Sequence, residues 1–381
     1  MTLIIPKRFQ QLVSRKKIRY KSTNLKTVYL FHLIHHFIYH YAFDKDEVRL
    51  SSSVLQENYG MNYLRYIEYL IENGFIIKAG NYSTQHRKSN KYRLIEKLDD
   101  VVIYRSNDFV FDKKCRKRLA EKNQKIGAVK STIPVSIRKK LISDLNSITI
   151  DDTESINFID TTIIDNRRKY LKNLIMITKI KDGDIFWKFD KHGRFHSNFT
   201  NLRKGIRNQY LRIDGEPIAE IDIKTSQPFF LCQILKKEWL INDCDDIKKF
   251  IKIVEGGDLY KHFLERYPYE FNDRNSVKPM MFKCLFNKRK KVSHYKAIFR
   301  KEFPTVYEFI KNYEVNYGEY LWKSLQRMES HFIFNTVYPA IINQIKNIKL
   351  FSVHDSLHFP QKYYSEIKII WDQKMEILIK K

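Results

Sequence analysis

Apolar positions along the chain recur mostly at helical spacing, and a few short alternating or aromatic runs predict strands between the helices. Residues 28–43 form one such helix, and a second, short one is predicted to start at Ser51, Ser52 and Ser53, whose hydroxyls suit an N-cap. After the break at Tyr59 and Gly60, apolar residues return at Leu64, Ile67, Leu70 and Ile71, which predicts a third helix over 62–73. Gly74 stands where such a helix ends in a left-handed residue. Residues 75–77 and 91–95 read as strands around the polar loop 80–90. From 134 to 180 the pattern is mostly helical, with the acidic stretch 151–154 read as a loop. Further on, 185–189, 219–223 and 350–353 read as strands, the last followed by the short segment 357–359. Residues 273–287 read as a helix in which Arg274, Lys278, Phe282 and Phe286 recur every fourth position, with Pro279 inside it. No internal repeat or low-complexity tract interrupts these patterns.

The order of the first 112 residues, three helices and then a hairpin, reads as a winged helix-turn-helix domain. Arg65 on its third helix, with Arg87, Lys88 and Lys91 in and beside the wing, would then meet phosphates. The same module also serves protein–protein contacts. His32, His35, His36 and His40 share one face of the first helix; with no Cys or carboxylate at ligand spacing, they read as a polar face. Residues 113–184 read as a basic linker, its cations concentrated over 113–125, followed by a helical region.

Charge narrows the function. Seventy Lys and Arg against 43 Asp and Glu give a formal charge of +27, an excess that points to a polyanionic partner. Nucleic acid fits best, because no isolated basic amphipathic helix suits a membrane surface. The four cysteines lie far apart, without zinc-site pairing. The segment 28–43 is too short and too polar to span a bilayer, and residues 1–10 lack the apolar core of a signal peptide. A reducing, cytoplasmic setting is expected.

Chemistry concentrates after residue 185. The strand 219–223 delivers Asp222, and the strand 350–353 runs into His354, Asp355 and Ser356. Two strands that each deliver a carboxylate can hold two Mg²⁺ ions, with Mn²⁺ able to substitute. Such a pair of cations positions a triphosphate, activates a 3′-hydroxyl and neutralises the leaving pyrophosphate. Between the two strands lies the helix whose cations suit a triphosphate and whose rings suit a base and sugar. Each element alone has an ordinary reading: a strand-end Asp more often caps a turn, and the helix could be simply amphipathic.

Taken in order, the segments resemble the core of the family A DNA polymerases. Gly193-Arg194-Phe195-His196-Ser197 with Asn201-Leu202 resembles that family's GRLSS…NLQ segment. Asp222 stands where the first metal-binding Asp stands, and Asp258-Leu259-Tyr260 resembles the segment before the nucleotide helix. Arg274, Lys278, Phe282 and Phe286 fit R-x₃-K-x₃-F-x₃-Y, and Val353-His354-Asp355 matches the final VHD. The resemblance covers roughly 185–375. It implies an α+β right hand, with an antiparallel palm sheet and helical fingers over 185–381 and a thumb-like helical region within 113–184, preceded by the winged-helix domain. It further implies Asp222 and Asp355 as catalytic metal ligands. Arg274, Lys278, Phe282, Phe286 and Gln227 would surround the nucleotide, while Arg194, His354, Ser197 and Asn201 would meet primer or template.

The sequence also departs from that family. Its DNA polymerases carry a Glu that crowds out a 2′-hydroxyl where Gln227 stands here, and Phe286 and Asn287 replace a Tyr and a Gly. Ser226 four residues after Asp222, and Ser356 after His354-Asp355, are closer to the single-subunit RNA polymerases. The expected activity is template-directed DNA synthesis from dNTPs without proofreading, for a phage, plasmid or other mobile element. The alternatives are a primase or RNA polymerase using ribonucleotides, and a silent DNA-binding initiator. The helix around Gln326, Arg327 and Glu329 reads mainly as packing; facing the template or supplying an auxiliary carboxylate are its other readings.

Overall fold

The computed structural model is a mostly helical α+β protein with antiparallel sheets. It describes residues 1–14, 17–81, 89–95, 97–108, 110–115, 117, 132–239, 244–286 and 294–380, with only the backbone of Trp239 and Phe286. Contacts divide the chain into two compact units. One comprises Met1–Gln124, Ile148–Phe186 and Ser197–Arg212; the other comprises Lys125–Ser147, Trp187–His196 and Ile213–Lys381. Residues 148–184, expected within a linker and thumb-like region, thus belong to the unit that holds the N-terminal helices.

The first unit is built on the helix Thr27–Ala42, whose Leu30, Phe31, Leu33, Ile34, Phe37 and Ile38 are buried. After it come strand Glu47–Arg49, helices Ser52–Tyr59 and Tyr63–Glu72, and strands Ile76–Gly80 and Lys91–Leu94. Lys91–Leu94 is the middle strand, antiparallel to both others. Gly60 at φ +80° and Gly74 at φ +73° end the two helices in conformations that cost a side chain strain. Ser51 precedes its helix as expected, but its hydroxyl meets Ser53 Oγ at 2.7 Å and caps nothing.

Two readings change here, and one strand was not read at all. The histidine face is not simply polar: His32 Nδ1 meets the Tyr59 hydroxyl at 2.7 Å, and the half-buried His35 accepts the Ile4 N–H at Nδ1, 2.9 Å away. Desolvation and the nearby Lys179 push the His35 ring down to about 3, so it serves as a neutral acceptor. Residues 151–154 are no loop, because the Asp151 carboxylate accepts the Glu154 N–H and starts the helix Asp152–Thr162. Finally, Thr2–Pro6 is a strand paired with Val101–Arg105, and it packs with the largely buried helix Arg167–Lys181.

In the second unit, Glu216–Asp222 and Phe351–Val353 flank Ser356–Pro360 in an antiparallel arrangement. Helix Ser226–Trp239 packs on helix Leu321–His331, and helix Arg274–Phe286 packs against Leu259–Arg266 and His294–Glu302. Leu321–His331 continues into a π-helical segment, Phe332–Val337, and then into Tyr338–Gln344. Pro339 has no N–H to return to the preceding turn, a local reason for the wider winding before it. Among the described residues no helix is long and apolar enough to cross a membrane.

Candidate active site

The two aspartates converge through strand register. Asp222 lies opposite Ser356, Val353 pairs with the same Ser356, and His354 and Asp355 form the two-residue turn between their strands. Ile223 donates its N–H to the Asp355 carbonyl at 3.4 Å, tying the end of one strand to that turn. His354 takes φ +56°, a left-handed conformation that costs a non-glycine residue strain. A second strained residue, Thr225 at φ +50°, turns the chain from the Asp222 strand into the helix that begins at Ser226. For a β-branched side chain this conformation is a genuine outlier. Both outliers thus lie within three residues of a candidate carboxylate.

Asp222 is exposed and Asp355 half-buried. Burial, then the charge of Glu329, then that of Asp222 push the Asp355 carboxyl up to about 6, against the opposing pull of Arg194. Like charges this close disfavour ionising both carboxyls at once. No group of three or more His, Cys, Asp or Glu side chains among the described residues is arranged to hold a metal. The two aspartates still suit Mg²⁺, which is commonly held by one or two protein carboxylates while water and substrate phosphates complete its octahedron.

Glu329 is the residue that sequence reasoning underrated. It is 1% exposed, and one oxygen accepts Arg194 Nε at 2.9 Å and Nη2 at 2.6 Å. Its other oxygen accepts the Ser226 hydroxyl at 2.9 Å and Gln227 Nε2 at 2.6 Å. Packing was its expected role, yet it organises three residues of the candidate site. The available signal was its place on an apolar face, with Leu325 one turn before and Phe332 and Ile333 one turn after, where an unpaired carboxylate is expensive. Gly193 makes the approach possible. A Cβ there would lie 3.2 Å from Ser330 Cβ and 3.1 Å from Thr132 Oγ1, and φ is +83°. Arg194 and Gln227, read as primer and sugar contacts, are therefore both committed to Glu329 in this structure.

Next to Arg194, Asp190 accepts the N–H of His192 and of Arg194 and the His196 Nε2, the last at 2.9 Å. These bonds outweigh burial and draw the Asp190 carboxyl down to about 2. The His196 ring stands edge-on to His354, centroids 5.8 Å apart. Sequence reasoning gave Asp190 and His196 no role of their own.

The helix Arg274–Phe286 presents the predicted stripe. Asp273 caps it by accepting the Ser276 N–H at 2.7 Å. Val277, Met280, Met281, Cys284 and Leu285 are buried, while Arg274, Lys278 and Pro279 are exposed and Phe282 is 50% exposed. Pro279 thus spends its missing hydrogen bond on the solvent face. Arg274 lies over the Tyr260 ring at 4.9 Å and Lys278 over Phe282 at 5.8 Å. Burial raises the Tyr260 phenol, and both Arg274 and Asp355 act on its charge, so Tyr260 stands within electrostatic reach of the helix and of the carboxylates. The Phe286 side chain and Asn287 lie outside the described residues. A cavity of about 360 Å³ adjoins Asp222, with Lys224, Gly257 and Trp371 in its wall.

The remaining expected contacts fall in the first unit. Ser197 is fully buried, and its N–H donates to Thr200 Oγ1 at 3.1 Å; it opens the helix Asn198–Asn201 and is no surface contact, which corrects its expected part in primer binding. Asn201 is half-buried. Arg65 pairs with Glu68 at 2.9 Å and Lys91 with Glu47 at 2.6 Å. Arg87 and Lys88 lie outside the described residues.

No protein-family model matches the chain, and no curated protein is similar to it.

Proposed function

We propose that the second unit is the catalytic core of a template-directed nucleotidyl transferase of the family A polymerase kind. The observation that carries this reading is the strand pairing that sets Asp222 beside the Asp355 turn, in a unit that also holds the exposed stripe of Arg274, Lys278 and Phe282. Asp222 and Asp355 would hold Mg²⁺, which supplies charge compensation for phosphoryl transfer. Arg274 and Lys278 bind the triphosphate of the incoming nucleotide, and Phe282 stacks on its base. A 3′-hydroxyl then attacks the α-phosphorus, and the bond to the bridging oxygen breaks to release pyrophosphate. Tyr260 orients Arg274 by ring contact, and the unit as a whole serves as palm and fingers.

The first unit, in this reading, docks on duplex DNA. Its helix–strand–helix–helix–hairpin order is that of a winged helix, and the chain's large positive charge suits a phosphate backbone. The deciding experiment offers labelled dNTPs and, separately, rNTPs with Mg²⁺ on a primed and an unprimed template. Incorporation that disappears in Asp222→Ala while DNA binding persists supports the enzyme. Incorporation unchanged by that substitution refutes the metal assignment, and none by the folded wild-type protein favours a DNA-binding initiator.

A further inference from the structure

The second unit has a groove of about 410 Å³ whose wall includes no residue given a part in nucleotidyl transfer above. Three helical segments build it: Ser226–Trp239, Leu321–His331 with its π-helical continuation, and Tyr364–Lys380. The Lys236 ammonium donates to the Ile379 carbonyl at 2.7 Å, tying the first of these helices to the last. The Phe332 ring meets Phe230 and Trp371, with centroids 6.4 and 5.9 Å apart, so the middle segment is fixed to both neighbours. The open apolar surface comes from Met328, Ile377 and Leu378, of which Ile377 is 50% exposed. Around it stand Lys237, Arg327, His331 and Lys374, drawn from all three segments, and no carboxylate lines the groove. Arg327 is shared with Glu319, but Lys237 and Lys374 form no ion pair among the described residues.

We propose that this groove docks a short acidic segment of a partner protein. One large apolar side chain of that segment seats against Met328, Ile377 and Leu378, and its flanking Asp or Glu side chains meet Lys237, Lys374 and Arg327. Unpaired cations around an exposed apolar surface complement a ligand that is both anionic and apolar. A single-headed lipid brings its charge to one end, whereas the cations here surround the apolar floor from three helices. Single-stranded nucleic acid needs ring faces on which its bases can stack, and Phe230 and Phe332 are only 1% and 3% exposed. Met is the adaptable side chain of binding surfaces, and Arg is enriched with it at protein interfaces. The π-helical segment supplies Phe332 and Thr336 to the wall, and such irregular turns recur at functional sites. The chain's charge of +27 attracts any acidic partner; the apolar floor is what selects this place for it.

The probe is a display library of random short peptides, panned on the full chain at physiological salt. The expected winners combine Asp or Glu with a large apolar residue. As free fluorescent peptides they should bind Lys237→Glu/Lys374→Glu, and separately Ile377→Glu, about tenfold or more weakly than wild type. Lys261→Glu/Lys362→Glu removes the same charge outside the groove and should change affinity by less than about twofold. All these positions are exposed or half-buried, so melting temperatures should hold, and if one groove variant fails to fold the other decides. Equal weakening by the two charge reversals would assign the binding to the chain's overall field and overturn the proposal. Winners without carboxylates, an affinity indifferent to Ile377→Glu, or no winners at all would overturn it too. Loss of single-stranded oligonucleotide binding in Lys237→Glu/Lys374→Glu, with peptide binding unchanged, would give the groove to nucleic acid instead.

Discussion

Arg194 donates two guanidinium N–H groups to a single Glu329 oxygen, at 2.9 and 2.6 Å, across 135 residues of sequence. The Glu329 side chain is 2% exposed and that of Arg194 18%, so most of this pair is removed from water. Burying it is worthwhile only because every partner is in place.

Arg194→Ala leaves the buried Glu329 with Ser226 and Gln227 alone. The expected loss is about 3–5 kcal/mol in urea-induced unfolding of the second unit, as for other broken buried pairs. Arg194→Lys should recover only part of it, since an ammonium cannot present the same two N–H groups. A loss near zero would show that Glu329 is not held as an ion at all.

Asp355 gives a pH dependence of unusual sign. Its folded value of about 6 lies above the ordinary carboxylate value of 3.8. Between these two values the unfolded chain has released its proton and the folded chain has not, so stability falls as pH rises through that window. Asp355→Asn removes this cost. At pH 7.5 the variant should be more stable by up to about 3 kcal/mol, less whatever solvent screens, and at pH 3 the difference should vanish. Urea titrations at the two pH values check it, and equal differences at both would contradict the assignment.

Glu302 behaves in the opposite way. It is held by Lys249 at 2.5 Å, His262 at 2.8 Å and the Tyr267 hydroxyl at 3.0 Å. These partners overcome its burial and hold the carboxyl down at about 2, below the ordinary 4.5. Its contribution, about 3 kcal/mol as an upper figure, is present above pH 4.5 and is lost as pH falls toward 2. Glu302→Gln should therefore destabilise the protein at pH 7, and the two unfolding curves should converge in acid.

Lys278 and Phe282 are on the exposed side of their helix, so Lys278→Ala and Phe282→Ala should change stability by no more than about 0.5 kcal/mol. In the proposed function each should raise KM for the nucleotide, Lys278→Ala by about tenfold or more through loss of a charge-assisted contact. A large drop in melting temperature with an unchanged KM would make the stripe a packing surface.

Arg65 and Lys91 are each ion-paired, which lowers the positive field expected of a phosphate-binding face. Exposed pairs of this kind are weak enough to exchange for phosphate. The double variant Arg65→Ala/Lys91→Ala should weaken duplex binding and flatten the log–log salt slope by about 2. Point variants are the proper tool, because truncation after residue 110 would cut a unit that also contains Ile148–Phe186 and Ser197–Arg212. An unchanged slope would reassign this unit to a protein partner.

Local features were legible in the sequence. Glycines after Tyr59 and Asn73 and apolar spacing located the three helices from 27 to 72 to within a residue or two, while strand Glu47–Arg49 went unread and strand Ile76–Gly80 runs three residues beyond its expected end. The stripe on Arg274–Phe286 emerged with its cations outward because four-residue spacing and a buried opposite face are properties of one helix. The acidic stretch 151–154 was misread because an acidic cluster suggests solvent, whereas Asp151 uses its carboxylate to start a helix. Strand Thr2–Pro6 escaped because its partner lies about a hundred residues away.

By itself, the sequence determined the basic charge, most helices of the first hundred residues and the presence of two strand-borne aspartates, since these follow from composition and nearest-neighbour geometry. Only tertiary structure decided that Asp222 lies across from the Asp355 turn, and that Glu329 serves Arg194, Ser226 and Gln227 together. A carboxylate's role depends on what surrounds it after burial, and its partners here come from segments more than a hundred residues apart, beyond the reach of any local pattern.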